Sequence, residues 1–337
     1  MRLENVLALT HGQLVNDPFV KNFTNTVFDV KAVKRGDLFM AFHEEDIEEA
    51  ILNGAYGILF SKPTQISDSE IAWIKVQDLE EALKRLLRFR LIEKSVTVYE
   101  TNEIVLKLAL QVVTESRFIA INGSIKNIAK DLWDIEESAT ILFAPSLVDK
   151  NIFTHTIELS QTPLHKINII EQTLFETSFI YDDIFYERQL ISPFFMPYLE
   201  TFLNLLKTLK VSYRLRKFTP IDHFEAVFTN KKFEIREFGT SDKVLIFEKN
   251  TDLIAAEINF LEREAAWAKI IYLLPYIDSS IEERMNKRDS LLIYTDEEEI
   301  FTLLQNNNFH FAFIVGVDKQ ILTKVRKPQV QTSLFDF

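Results

Sequence analysis

The chain has 337 residues, of which 47% are hydrophobic and 26% charged, a composition typical of a globular protein with sizeable cores. Its 50 acidic and 38 basic residues give a formal net charge of −12, which argues against direct binding to nucleic acid because phosphate contacts need clustered lysine and arginine. Cysteine is absent, which excludes disulfides, iron–sulfur clusters and thiolate metal sites. The sequence has neither a signal-peptide pattern nor an apolar run that could span a bilayer. We therefore expect a soluble cytoplasmic protein that does not bind membranes.

Glycine is rare, with only 7 residues in the whole chain. Loops that bind nucleotides rely on glycine because their backbone approaches phosphates closely and adopts positive φ. No stretch of this sequence matches G-x-G-x-x-G or G-x-x-x-x-G-K-[ST]. The sequence therefore excludes a standard dinucleotide-binding loop and a standard P-loop.

The first 95 residues alternate short apolar strands with amphipathic helices. Strands are predicted at residues 38–42, 56–60 and 71–76, and helices at 44–53 and 79–91. Asp78 is the predicted N-cap of the second helix, with Glu81 three residues further on. This alternation indicates an α/β unit.

A second region extends from residue 96 to residue 238. Its predicted helices are at 102–115, 127–137 and 193–209, and its predicted strands at 117–122, 140–143 and 153–159. After the first of these strands come Gly123 and Ser124 and then a helix, an order that can hold phosphate at a helix N-terminus. An ordinary strand-to-helix turn in which Ser124 caps the helix has the same pattern.

The third region, residues 239–325, again alternates strands and helices. Strands are predicted at 243–247, 269–274, 290–294 and 311–315, and helices at 253–268 and 296–305. This order indicates a second α/β unit with a parallel sheet. Residues 326–337 follow as a tail.

Residues 28–42 (FDVKAVKRGDLFMAF) and 53–60 (NGAYGILF) resemble the N-terminal domain of the Mur ligases, above all those that add D-alanyl-D-alanine to a UDP-muramoyl tripeptide. The residues that match the family pattern are Asp29, Gly36, Asp37, Leu38, Phe39, Ala41, Gly54 and Ala55. Val30 and Lys31 replace the serine and arginine of the family's D-S-R triplet. The resemblance implies UDP-sugar contacts by Asp29 and Lys31. The alternative is that this segment is a turn kept by the fold.

The resemblance also implies an α/β, three-domain Mur-ligase-like architecture with a shortened central domain. Residues 1–95, 96–238 and 239–325 would be the N-terminal, degenerate central ATPase-like and C-terminal Rossmann-like domains. The stretch between Phe143 and Ile191 is much shorter than its counterpart in the family.

The family's ATP loop, T-G-S-x-G-K-T, is similar to residues 122–128 (NGSIKNI). Gly123 and Ser124 match, whereas Lys126, Asn127 and Ile128 replace the second glycine, the phosphate-binding lysine and the magnesium-binding threonine. Ile128 has no oxygen for magnesium, so the resemblance implies a degenerate ATP site. The residues left for a residual nucleotide site are Gly123, Ser124, Lys126 and Lys130.

Residues 331–337 (QTSLFDF) are similar to the bacterial sliding-clamp-binding peptide, Q-x-[SD]-L-F. The matching residues are Gln331, Ser333, Leu334 and Phe335. In that peptide the glutamine hydrogen-bonds at the entrance of a pocket, and the leucine and phenylalanine fill it. The alternative is that this apolar end docks back on the chain as a strand.

No catalytic residue is assigned. The six histidines lack metal-ligand spacing, and no Ser/His/Asp arrangement can be identified in the sequence. The pair Asp182-Asp183 is interpreted as a solvated loop, and the alternative is a metal-binding or acid/base role. The two resemblances together imply a non-catalytic binding or scaffold protein without cofactor or metal, recruited to the DNA sliding clamp. The alternatives are an ATP- and magnesium-dependent ligase joining a UDP-muramoyl peptide to a dipeptide, and a protein that only binds UDP-muramoyl precursors.

Overall fold

The computed structural model describes residues 1–160, 165–215, 217–275 and 290–324. Within these ranges the chain forms two compact units. The first comprises Met1–Ser160 and Lys210–Tyr213, and the second comprises the described residues of Gln161–Leu209 and Arg214–Phe337. The domain boundaries near residues 95, 238 and 325 remain predictions.

The first unit contains two mainly parallel sheets and the helices that cover them. Its helices are α1 (Leu3–Thr10), α2 (Asp46–Leu52), α3 (Leu79–Glu93), α4 (Glu103–Val112) and α5 (Ile125–Leu132). Its strands are β1 (Gln13–Leu14), β2 (Thr26–Val27), β3 (Leu38–Met40), β4 (Gly57–Phe60), β5 (Ala72–Lys75), β6 (Thr97–Glu100), β7 (Phe118–Ala120), β8 (Thr140–Phe143) and β9 (Ile157–Glu158). The sheet orders are β1-β5-β4-β3-β2, with β1 antiparallel, and β7-β8-β6-β9, entirely parallel.

One apolar core joins the two sheets of this unit. Leu83 and Leu86 of α3 and Ile128 and Leu132 of α5 are buried in it, and β3 and β4 are buried along their whole length, as parallel strands covered on both faces are. Asp78 caps α3 as predicted, because its carboxylate accepts hydrogen bonds from two backbone N–H groups of the first turn.

The second unit contains one antiparallel and one mainly parallel sheet. Its strands are β10 (Asn168–Gln172), β11 (Thr177–Tyr181), β12 (Ile184–Gln189), β13 (Glu225–Thr229), β14 (Lys243–Glu248), β15 (Ile270–Pro275), β16 (Leu291–Tyr294) and β17 (Phe311–Val315). Its helices are α6 (Met196–Leu209), α7 (Ile254–Glu264), α8 (Glu297–Asn306) and α9 (Ile321–Lys324). The orders are β10-β11-β12 and β13-β14-β17-β15-β16, where β13 is antiparallel.

Three sequence-based expectations need correction. The helix predicted at 127–137 is α5, which begins at Ile125 because Ser124 is its N-cap, and the strand predicted at 153–159 is reduced to β9. The segment between β8 and α6 contains the β10–β12 sheet, which was not predicted. Asp182 and Asp183 form the β11–β12 turn with φ of 50° and 60°, as two-residue hairpins require, and this confirms their interpretation as a loop.

Among the described residues, no helix is both long and apolar enough to cross a membrane.

Candidate functional site

The loop between β7 and α5 lies at the carboxyl end of the parallel sheet of the first unit, where α/β proteins commonly bind ligands. Gly123 has a φ of +94°, and a Cβ added there would meet only the side-chain amide of Asn127, at 3.9 Å. The left-handed backbone conformation, and not crowding, therefore requires glycine at this position. The order of strand, Gly123-Ser124 turn and helix is the one that the sequence predicts.

Ser124 caps the helix that follows this loop. Its backbone is extended, and its hydroxyl accepts a hydrogen bond from the backbone N–H of Asn127 at 3.4 Å. This contact satisfies one of the free donors of the first helical turn. The geometry matches the ordinary strand-to-helix turn that the sequence leaves open as an alternative.

The side chains of Lys126 and Ile128, in the first turn of α5, contact other residues of the first unit. The Lys126 ammonium lies 3.8 Å from the centre of the Phe42 ring, a favourable contact between a cation and an aromatic face. Ile128 is only 2% exposed and packs in the core with α3. Lys130 lies further along α5 and is exposed. The structure thus brings Gly123, Ser124 and Lys126 together at the helix start and leaves Lys130 outside that group.

The last turn of this helix is fixed to the N-terminal part of the same unit. The indole Nε1 of Trp133 donates to the side chain of Asn25 at 3.0 Å, and its ring meets Phe28 edge-on at 5.2 Å. The Arg90 side chain donates to the Trp133 carbonyl at 2.7 Å. Residues of the same unit therefore contact α5 at both its first turn and its last turn.

The segment predicted to face a UDP-sugar forms two tight turns before β3. Asp29 accepts a hydrogen bond from the backbone N–H of Lys31 at 3.1 Å, and both residues are exposed. Asp37 is 4% exposed and accepts from the backbone N–H of Lys34 at 2.9 Å. Asp37 therefore stabilises the turn, while Asp29 and Lys31 present their side chains to solvent.

The predicted partner-binding residues Gln331, Ser333, Leu334 and Phe335 lie outside the described residues. Within the described ranges, no group of three histidine, aspartate or glutamate side chains is arranged to hold a metal ion.

A buried polar cluster in the second unit was not predicted from the sequence. Glu248, the last residue of β14, is fully buried and accepts hydrogen bonds from His223 Nδ1 at 3.0 Å and from the backbone N–H groups of Phe224 at 3.0 Å and Asn250 at 2.6 Å. Burial opposes ionisation of this carboxyl, but the hydrogen bond and charge of His223 hold the pKa of Glu248 below its usual value.

Glu257, on α7, lies beside the Glu248 carboxylate and is fully buried. No donor among the described residues hydrogen-bonds to its carboxyl oxygens, whereas its own proton can be donated to the Glu248 carboxylate. Burial and the negative charge of Glu248 raise the pKa of Glu257 to about 10, so this side chain is neutral at pH 7. One sequence signal could have revealed it, because Glu257 falls on the apolar stripe of α7 formed by Ile254, Ile258 and Leu261.

Two solved structures are similar to this chain over almost its full length. MurF from Acinetobacter baumannii is 11% identical with a TM-score of 0.50, over 93% of this chain and 95% of that one. The MurF ligase from Thermotoga maritima, solved in complex with ADP, is 14% identical with a TM-score of 0.49, over 89% and 96%. No protein-family model and no curated protein sequence matches this chain significantly.

At 11% identity, the likeness to the Acinetobacter structure concerns the fold alone. It agrees with the fold class that the motifs at residues 28–60 predict. The chain therefore has a Mur-ligase-like α/β fold.

Proposed function

We propose that this chain is a Mur-ligase-like binding or scaffold protein that does not catalyse ATP-dependent ligation. The observation that carries this proposal is the environment of the first turn of α5. A phosphate-binding loop needs a lysine that reaches the phosphates and a hydroxyl that binds magnesium. Here Ile128 is buried in the core, and the Lys126 ammonium contacts the Phe42 ring.

The chemistry of the neighbouring side chains supports the same conclusion. Asn127, at the position of the phosphate-binding lysine, carries no charge, and its side-chain amide lies close to Gly123. Ser124 offers a hydroxyl, but this group already accepts the capping hydrogen bond of α5. A triphosphate at this loop would therefore meet backbone N–H groups without a magnesium ion held by the protein.

We expect MgATP at millimolar concentration to leave the melting temperature of the full chain unchanged. A ligand at about one hundred times its Kd adds about 2.7 kcal/mol to the free energy of unfolding, which would shift the midpoint by several degrees. Thermal unfolding with and without MgATP measures this, and the MurF ligase of Thermotoga maritima, which was solved with ADP, is the positive control. A clear shift that disappears in Ser124→Ala would contradict the proposal.

For the tail, we propose that Gln331, Ser333, Leu334 and Phe335 bind the bacterial DNA sliding clamp. The support is the match to the motif at each of these four positions, next to a basic, proline-containing stretch at residues 324–328. A clamp pocket would accept the leucine and phenylalanine side chains, and burial of each is worth about 1.5–3 kcal/mol.

The binding proposal predicts that the full chain binds a bacterial sliding clamp with a Kd on the order of micromolar. A chain ending at Val330 should show no binding, and Phe335→Ala should weaken it by at least about tenfold, or 1.4 kcal/mol. Thr332→Ala is the matched control, because Thr332 occupies the variable position of the motif. Isothermal calorimetry makes the comparison. If the full chain and the truncated chain behave alike, the tail is not a clamp ligand.

The alternative function is a divergent ligase that uses ATP and magnesium to join a UDP-muramoyl peptide to a dipeptide. The retained turn at Gly123 and the serine at the start of α5 favour it. This function requires Lys126 to leave the Phe42 ring, or Lys130 to reach the phosphates. Under this alternative, Lys126→Ala would abolish turnover, whereas the non-catalytic proposal gives it no effect on phosphate release.

A further inference from the structure

The buried cluster of the second unit connects three separate parts of the chain. His223 precedes β13, Glu248 ends β14, and Glu257 lies in the first turn of α7. All three are at most 3% exposed. Burying an ionisable group lowers the stability of the fold unless the group is paired. These three parts of the chain are therefore expected to stay together only while the three side chains remain paired or neutral.

The segment of residues 221–224 depends on Glu248 for its attachment. Both the His223 side chain and the Phe224 backbone N–H donate to this one carboxylate. Phe224 has a φ of 45°, in the left-handed region, which is unfavourable for a residue with a Cβ. Such a conformation persists only where the surrounding contacts impose it, and the hydrogen bonds to Glu248 are among those contacts.

Ring packing adds a second restraint on the same segment. The Phe224 ring lies 5.6 Å from that of Phe260 on α7 and 6.0 Å from that of Phe194. These contacts are apolar and do not respond to pH. The hydrogen bonds to Glu248, in contrast, depend on the ionisation of that carboxyl.

Glu257 determines the electrostatic environment of that carboxylate. Its carboxyl is beside Glu248 and has no contact with a cation among the described residues. Among the described residues, the ionisable groups that act on Glu248 are His223, from the segment before β13, and Glu257 itself, while Lys249 and Asp318 pair with each other at the surface at 2.6 Å. Without its proton, Glu257 would put a second negative charge against the Glu248 carboxylate.

We propose that His223, Glu248 and Glu257 form a proton-dependent latch, in which the proton on Glu257 keeps residues 221–224 attached to the end of β14. Loss of that proton places two carboxylates side by side. The repulsion is relieved when the segment carrying His223 and Phe224 opens and water reaches the cluster. Raising the pH should therefore open this segment before the rest of the unit unfolds.

Hydrogen exchange of the full chain, followed by NMR between pH 7 and pH 10, tests the latch. The reporters are the amides of Phe224 and Asn250, which donate to Glu248, and the reference is the amide of Ile314 in β17. After correction for base-catalysed exchange, we expect the two reporters to be less protected than the reference at each pH, and to lose protection by at least about tenfold over this range. Constant protection of the two reporters, or protection equal to that of the reference at each pH, would overturn the proposal.

Two variants separate the latch from general destabilisation at high pH. Glu257→Gln keeps the shape without the titration and should retain protection at pH 10, whereas Glu262→Gln, an exposed position on the same helix, should behave like the unchanged protein. His223→Gln should already show low protection of Phe224 at pH 7. Equal loss of protection in Glu257→Gln and the unchanged protein, or full protection in His223→Gln, would contradict the latch.

Discussion

Replacing Glu257 with glutamine is expected to raise the free energy of unfolding by about 3 kcal/mol at pH 7. In the unfolded chain this carboxyl ionises near its ordinary value of 4.5, whereas in the folded protein burial and the Glu248 charge raise its pKa to about 10. Folding at pH 7 must therefore take up one proton, at a cost of about 1.4 kcal/mol per pH unit above 4.5. Glutamine has the same shape and no proton to gain.

The contribution of Glu257 to the free energy of unfolding depends on pH. The unfolded state binds fewer protons at this site than the folded state, so the contribution of Glu257 lowers stability progressively as the pH rises from about 4.5 towards 10. Glu248 acts in the opposite sense, because its pKa is lowered and the stability it provides is lost only in acid. Urea unfolding at pH 6, 7, 8 and 9 should show the advantage of Glu257→Gln growing by about 1.4 kcal/mol per unit. Glu262→Gln is the control. If the difference in free energy of unfolding between Glu257→Gln and the unchanged protein were the same at every pH, this explanation would be wrong.

Replacing Ile128 with threonine is expected to lower the free energy of unfolding by about 2 kcal/mol without creating a site for MgATP. The substitution introduces the residue type that binds magnesium in the family's ATP loop. Ile128 is 2% exposed and packs against apolar residues of α3 and α5, so the variant loses apolar contacts and buries a hydroxyl.

The matched control at this position is Ile128→Val, which removes a methylene but adds no polar atom and should cost about 1 kcal/mol. Urea unfolding measures both variants, and calorimetry with MgATP measures binding. A threonine variant that is as stable as the unchanged protein and binds MgATP would mean that position 128 can face a nucleotide, contrary to the packing observed.

The parts of the fold that could be predicted from sequence are those whose strands are apolar on both faces. The strands at residues 140–143 and 311–315 were predicted at their observed bounds because every position in β17 and most in β8 are buried. The β10–β12 sheet was missed because β10 is exposed along its whole length and β12 nearly so. Periodicity detects a strand by its buried face, and these strands have little of one.

The loop after β7 and the buried cluster of the second unit also differ in how far they could be predicted from the sequence. The loop after β7 could be found because its residues are contiguous, so a motif comparison reaches Gly123 and Ser124 directly. The pairing of His223 with Glu248 depends on the antiparallel register in which Glu225 faces Phe247, and two residues so far apart in sequence carry no local sign of that register. The position of Glu257 on an apolar stripe is the one signal available without the structure.

Phosphate release from ATP in the presence of magnesium, a UDP-muramoyl tripeptide and D-alanyl-D-alanine tests the proposed loss of ligase activity most directly. The full chain is used, and a bacterial MurF ligase assayed in parallel shows that the substrates are competent. We predict no phosphate release above the level without protein, with or without the peptide substrate, because Ile128 is buried and Lys126 contacts Phe42. Release that requires the UDP-muramoyl peptide and is abolished by Lys126→Ala would contradict the proposal and make this chain a ligase.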